Sequence, residues 1–356
     1  MEKRILRLRE VLKERNLDGM LITSLSNRRY ISGFTGSAGT VLITQNEAFL
    51  VTDFRYIEQA TDQARNFTII NQESSLINKL KELVTKTGIH TLGFEQDYVT
   101  YSQYKQFEES FSPMKLVPLS QVIEQLRMIK DETEIQLIRK AAQIVDQTFN
   151  HILTLIKPGI REVEVALELE YKMRQLGAQG ASFDTIVASG YRSALPHGVA
   201  SEKRIEVGDF VTIDFGAIYQ GYVSDITRTI AIGRVDEKQK EIYNIVLEAQ
   251  VNGINHVKAG MTGKEADDLT RSIISRYGYG KYFGHSTGHG IGLDVHEGPL
   301  LSMKSDVILK PGMVVTIEPG IYISKFGGVR IEDDVLITDY GREVLTYSPK
   351  ELIIIE

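Results

Sequence analysis

The chain has no cysteine among its 356 residues. That excludes a disulfide framework, a thiolate nucleophile and a Cys-ligated zinc, so any metal must sit on histidine and carboxylate. No run of about 18 consecutive apolar residues occurs, which removes a membrane-spanning helix. The N-terminal stretch MEKRILRLREVLKERNLDG reads as a charged amphipathic helix rather than a signal peptide, and the expectation is a soluble, cytoplasmic protein. There is no basic block either. Forty-one Lys plus Arg against 47 Asp plus Glu leave a net charge of −6, without the electrostatic footprint of a nucleic-acid binder. Repeats and low-complexity segments are absent, and 42% hydrophobic with 25% charged residues is an ordinary globular composition. At roughly 150 residues per domain, the length suggests two domains.

The first third alternates helical and strand periods. A helix runs through Leu6, Val11 and Leu12, and a strand over 19–22 follows. Then come alternating strands over 40–43 and 48–52, a helix over 55–64, a strand over 67–71, a helix over 76–87 and a strand over 91–94. This predicts a small α/β domain over 1–125. Residues 119–130 read as a linker, and Asp131 with Glu134 three positions on has the spacing of a capping box at the start of a long helix. Residues 126–356 carry helices over 131–156, 162–176, 238–257 and 263–277, separated from short alternating strands. That segregation predicts an α+β domain with antiparallel sheet.

Three segments concentrate chemistry. FVTIDFGAIYQGYVSDITRTIAIG reads as two alternating strands joined near Tyr219 to Tyr222, with Val211, Ile213 and Phe215 on one face and Asp214 on the other. In the return strand Asp225, Thr227 and Thr229 share a face, and positions 214 and 225 are roughly equidistant from the turn. The two carboxylates could therefore meet across the hairpin. Such a pair repels at neutral pH unless a cation lies between them. Read singly, each Asp is more often a solvated residue on an exposed sheet face. MVVTIEPGIYI runs into a glycine turn at Phe326-Gly327-Gly328 and returns as VRIEDDVLI, placing Glu318 at one strand end and Arg330 and Glu332 on one face of the other. HSTGHGIGLDVHE sets His285, His289 and His296 among glycines, where backbone can approach an ion, although a flexible turn would look the same. Four carboxylates and an imidazole would make a hard site for two divalent ions about 3.5 to 4 Å apart, suited to hydrolysis.

These segments resemble the pita-bread metallopeptidase family, and within it the Xaa-Pro peptidases aminopeptidase P and prolidase. Asp214 and Asp225 in DFGAIYQGYVSDITRT, His289 in GHGIG, Glu318 in TIEPG and Glu332 in VRIEDD match the five metal ligands in family order. His197 in ALPHG and His296 in DVHEGP match two further active-site histidines, His285 a third in the wall, and Arg330 an arginine of the proline-specific branch. NRRYISGFTGSAG and TDFRYIEQA resemble that branch's extra N-terminal domain. The resemblance implies a creatinase/aminopeptidase-like pita-bread catalytic domain behind a smaller α/β domain. It also implies two divalent ions per chain, manganese ahead of cobalt, zinc or iron, small proline-containing peptides as substrates, and a homodimer.

Roles follow from the same resemblance. Asp225 and Glu332 would bridge the ions, Asp214 would complete one shell, and His289 and Glu318 the other. Glu318 would take a proton from the attacking water and give it to the leaving proline nitrogen. His197 and His296 would stabilise the oxygen that gains charge, or hold the proline ring and carbonyl. Arg330 would hold a substrate carboxylate or carbonyl, or else only neutralise an acid such as Asp333. Tyr322 reads equally as pocket wall or core aromatic, and Asn27 as a turn residue or one reaching the site from the N-terminal domain. The alternatives are a methionine-aminopeptidase-like enzyme, which normally lacks the extra domain, and an inactive binding protein on the same fold, which would lose a ligand. None is lost here. Xaa-Pro hydrolysis in dipeptides and at the N-terminus of short peptides is the expected activity.

Overall fold

A six-stranded mixed sheet organises the first unit of the computed structural model, which describes residues 1–356 and divides into Met1–Arg127 and Met128–Glu356. Its strands are β1 (Gly19–Ile22), β2 (Thr40–Thr44), β3 (Ala48–Thr52), β4 (Thr68–Asn71), β5 (Thr91–Glu95) and β6 (Lys115–Leu119), in the order β4-β3-β2-β1-β5-β6. The β2–β3 and β1–β2 pairs are antiparallel and the outer pairs parallel, so local hairpins and crossover helices are both used. Helices α1 (Glu2–Glu14), α2 (Leu25–Ser32), α3 (Ile57–Gln63), α4 (Leu76–Lys86), α5 (Tyr101–Phe111) and α6 (Val122–Arg127) complete the unit. Leu21, Leu42, Val51, Leu80 and Phe107 are among the residues of its core.

Helix α2 stands where the sequence reading placed a turn at Asn27. The Ser24 hydroxyl caps it by accepting the Asn27 N–H, and Gly33 closes it at φ 78°. Asn27 is fully buried. Its amide donates to Glu95 Oε1 at 2.7 Å and Glu124 Oε1 at 2.5 Å, and its Oδ1 accepts from Arg127 at 2.7 Å. A side chain held on three sides inside its own unit is neither a turn residue nor available to another site. Short helices with little apolar periodicity hide from pattern reading, because tertiary hydrogen bonds rather than an apolar stripe fix them.

In the second unit, α7 (Glu132–Ile152) starts with the capping box between Asp131 and Glu134, and Ile135, Ile138, Ala142, Val145, Phe149 and Ile152 form its buried stripe. Helices α8 (Glu162–Gln175), α9 (Glu237–His256) and α10 (Gly263–Arg276) follow. Strands β7 (Gly180–Ala181), β8 (Ile186–Ser189), β9 (Phe210–Phe215), β10 (Ala217–Tyr219), β11 (Tyr222–Val223) and β12 (Ile226–Ile232) precede α9. After α10 come β13 (Gly288–Gly290), β14 (Glu297–Leu301), β15 (Val314–Ile317), β16 (Gly320–Ile323), β17 (Gly327–Arg330), β18 (Asp333–Thr338), β19 (Gly341–Val344) and β20 (Ile354–Ile355). The main sheets are β20-β12-β9-β8 and β14-β13-β15-β18-β19, antiparallel except for the β12–β20 pair. Val211, Ile213 and Phe215 pack on α7 and α8 as their alternation predicts, which turns Thr212 and Asp214 to the opposite face.

Both long hairpins are interrupted. The first breaks between β9 and β10 and between β11 and β12. The second breaks between β15 and β16 and between β17 and β18. Asp225, Glu318 and Glu332 occupy breaks, where a side chain is not bound to strict strand alternation.

Candidate metal centre

The first hairpin turns at Gln220 and Gly221, both with positive φ, and its register sets Tyr219 opposite Tyr222 and Asp214 opposite Thr227. Asp225 therefore sits one diagonal step from Asp214 rather than directly across, but on the same face. In the second hairpin Ile317 faces Asp333 and Gly320 faces Arg330, which brings Glu318 and Glu332 opposite each other in the gap. Pro319 after Glu318 has no N–H for the ladder, which favours the break there. His289 comes from the middle of β13. Its flanking glycines let that strand lie tight: a Cβ on Gly288 would stand 1.9 Å from Thr316 O, and one on Gly290 2.2 Å from Gly298 O. The glycines thus serve strand packing rather than approach to an ion.

Asp214, Asp225, His289, Glu318 and Glu332 line one cavity of about 490 Å3, together with Arg330, His285, His197 and His296. One oxygen or nitrogen each from Asp225, His289 and Glu332 lies within 4.8 Å of the others. His289 Nε2 is 3.3 Å from Glu318 Oε1 and 3.8 Å from Asp225 Oδ2. Its Nδ1 faces the Gly290 carbonyl at 3.1 Å and so carries the hydrogen, leaving an Nε2 lone pair directed at the acids. Burial holds His289 below the usual imidazole range, in the neutral form that ligates. Thr227 donates to Glu332 Oε2 at 2.6 Å and Thr316 to Glu318 Oε1 at 3.1 Å, which orients both carboxylates.

The charges do not balance within the protein. Burial, then the neighbouring acids, push Asp225 and Glu332 well above the carboxylate range, and burial above all pushes Glu318 up to about 8. Asp214 Oδ1 and Asp225 Oδ1 are buried with no hydrogen-bond partner. Orphaned acceptors beside crowded carboxylates and an imidazole lone pair are the donor set a divalent cation satisfies, so the residues fit such an ion.

Arg330 is buried and committed. Its Nη2 reaches Asp214 Oδ2 at 2.5 Å, Nε reaches Thr227 Oγ1 at 3.0 Å, and Nη1 reaches the Tyr322 hydroxyl at 2.8 Å. The expected contact with Asp333 is not made. Asp333 is buried against Arg228, Lys350, Gln250 and Thr346, because strand alternation turns it away from the cavity. Tyr322 does not line this cavity but buttresses it, its hydroxyl also meeting His285 Nε2 at 2.8 Å. His285 Nδ1 faces the Ser286 carbonyl, and burial, then Arg330, bring its pKa down to about 4, so Nε2 accepts from the tyrosine. His197 and His296 are exposed at the cavity lining, with the His296 ring 4.3 Å from that of His289.

Other supports escaped the sequence reading. Glu297 Oε1 accepts the N–H groups of Leu293 and Asp294, and its Oε2 pairs with buried Lys130 at 3.3 Å, clamping the loop that carries His296. Asp334 Oδ2 accepts the Asp225 N–H at 3.1 Å. Asp267 accepts the Thr287 N–H and is held by Arg271. None of these left a signal in the sequence pattern, whereas Thr227, which orients Glu332, had one in its alternation with Asp225 and Thr229.

Residues 136–339 match metallopeptidase family M24, and residues 4–129 match the creatinase/prolidase N-terminal domain. An uncharacterized peptidase of Bacillus subtilis is 56% identical over 98% of this chain and 99% of its own. A Xaa-Pro dipeptidase of Pyrococcus horikoshii is 45% identical over 99% of both. Among solved structures, a Xaa-Pro dipeptidase from Bacillus anthracis aligns at 56% identity with a TM-score of 0.98, covering 99% of each chain. An X-Pro aminopeptidase from Thermotoga maritima aligns at 42% identity with a TM-score of 0.91, covering 96% of this chain and 99% of that one.

Proposed function

The chain belongs to metallopeptidase family M24, with a creatinase/prolidase N-terminal domain ahead of a pita-bread domain, and from that premise we propose that it hydrolyses the Xaa-Pro bond of dipeptides and short peptides. The observation that carries this reading is the convergence of five donors in one cavity with two carboxylate oxygens unbonded, in a chain that Xaa-Pro dipeptidases match end to end.

Asp225 and Glu332 would hold two divalent ions between them, with Asp214 on one side and His289 and Glu318 on the other. Oxygen and imidazole donors without sulfur suit manganese, our choice of metal. When bound, such ions lower the pKa of water towards neutrality and polarise a carbonyl oxygen. Thr316 and His289 both face Glu318 Oε1, which leaves Oε2 to accept a proton and return it to the departing proline nitrogen. His197 and His296, which line the same cavity, would stabilise the carbonyl oxygen as it gains charge, and Arg330 steadies Asp214. Proline offers no N–H, so its ring needs apolar walls rather than an acceptor, and Phe183, Ile186, Pro196 and Val199 supply them.

The test is hydrolysis of Ala-Pro beside Ala-Ala, Met-Ala and Ala-Pro-Ala by metal-loaded protein. Xaa-Pro substrates are expected to exceed the matching Xaa-Ala ones by at least about a hundredfold in kcat/KM, roughly 2.7 kcal/mol of discrimination. Comparable rates on Met-Ala and Ala-Pro would overturn the reading.

A further inference from the structure

A second cavity, of about 670 Å3, adjoins the first and shares Pro196, His197 and His285 with it. Leu195, Tyr282, Gly284 and Tyr322 extend its lining, and none of these is charged. Lys281 alone brings a fixed positive charge there. It is exposed, in a short 3-10 turn over Gly280–Tyr282, with Nζ 4.8 Å from the centre of the Tyr282 ring. Asp184, an exposed carboxylate, lines the first cavity and not the second.

A small peptide is a zwitterion, and its ends must go somewhere. The ammonium end is favoured near Asp184, an acid outside the five donors, and the carboxylate end near a cation. Arg330 is a poor partner for the carboxylate, because its charge already faces Asp214 and three of its N–H groups are spent on Asp214, Thr227 and Tyr322. Lys281 has no carboxylate partner, and a flexible four-carbon stem lets its ammonium follow peptide ends of different reach.

We propose that the second cavity takes the C-terminal end of the peptide beyond the proline ring, and that Lys281 reads its free carboxylate. This rests on the Xaa-Pro peptidase reading and sets a substrate class within it. A cavity of about 670 Å3 is larger than a proline carboxylate needs, so peptides longer than two residues fit, and free acids are preferred over C-terminally blocked peptides.

The experiment compares the parent with Lys281→Glu and Lys281→Met, as metal-loaded full chains, on Ala-Pro, Ala-Pro-Ala and the C-terminal amide of each. In both variants the ratio of kcat/KM for free acid over amide is expected to fall about tenfold, with the change in KM, as for a lost hydrogen bond to a charged group. Lys281→Arg should restore most of it. Ratios within about twofold of the parent for both peptide lengths would overturn the proposal while the parent still cleaves Xaa-Pro bonds. Failure of the parent to cleave any of the four would overturn the peptidase reading and this inference with it.

Discussion

Arg330 and Asp214 form a buried ion pair, Nη2 to Oδ2 at 2.5 Å, within a cavity whose other acids have no cationic side chain so close. The same guanidinium holds Thr227 and Tyr322, so it fixes one ligand, the orienter of a second, and the tyrosine that buttresses the cavity. Lysine keeps the charge but not the fork. Arg330→Lys is therefore expected to lower kcat/KM on dipeptide and tripeptide alike by roughly 10- to 150-fold, or about 1.5 to 3 kcal/mol. A loss confined to the dipeptide would instead make Arg330 the reader of the substrate carboxylate.

The raised carboxyl groups set the pH behaviour of metal-stripped protein. Glu318 ordinarily releases its proton near 4.5 but holds it to about 8 when folded, so its contribution to stability is present below 4.5 and lost as pH rises towards 8. Asp225 and Glu332 shift in the same direction. A divalent ion replaces those protons. The gain in unfolding temperature on adding manganese should therefore be larger at pH 8 than at pH 5.5, and unbuffered protein should acidify on metal addition. No proton release would contradict the crowded-carboxylate account.

His285 works the other way. Its folded pKa near 4 lies below the ordinary 6.5, so the unfolded chain takes a proton first as pH falls. Its contribution is complete above pH 6.5 and lost between 6.5 and 4. Relative to His285→Gln, the parent should lose up to about 3 kcal/mol of unfolding free energy between pH 7 and pH 4. Parallel denaturant curves for the two proteins across that range would show that His285 is protonated in the folded state.

Much of the site was legible because ligand chemistry demands particular residues at strand-scale spacing. Asp214 stands out as an acid inside an otherwise apolar strand, and Glu318 and Glu332 as acids beside the breaks of a second hairpin. Register was read only roughly: from a turn centred between Gln220 and Gly221, Asp214 falls opposite Thr227, and Asp225 lies one diagonal step away rather than equidistant. Arg330 went to Asp214 rather than Asp333 because alternation sets positions 330 and 333 on opposite faces, and its partner lies on the other hairpin. Asn27, Lys130 and Glu297 were beyond reach for another reason. Their partners lie far away along the chain, and only the tertiary structure joins them.

The Lys130–Glu297 pair is almost wholly shielded from water, so removing one partner strands the other. Lys130→Met is expected to cost about 3 to 5 kcal/mol in urea unfolding. Lys130→Met combined with Glu297→Gln should recover part of that, since the amide oxygen can still accept from Leu293 and Asp294. A loss under about 1 kcal/mol for the single variant would show the pair to be dispensable.

Every donor gathered in the cavity is an oxygen or an imidazole nitrogen, and the chain has no thiol anywhere. Peroxide and disulfide exchange silence centres built on thiolate, but here they find no sulfur to attack. Soft ions such as Cu(I) or mercury find no sulfur to hold them at these five positions. Occupancy of such a centre would then follow the supply of divalent cations and not the upkeep of a reduced thiol.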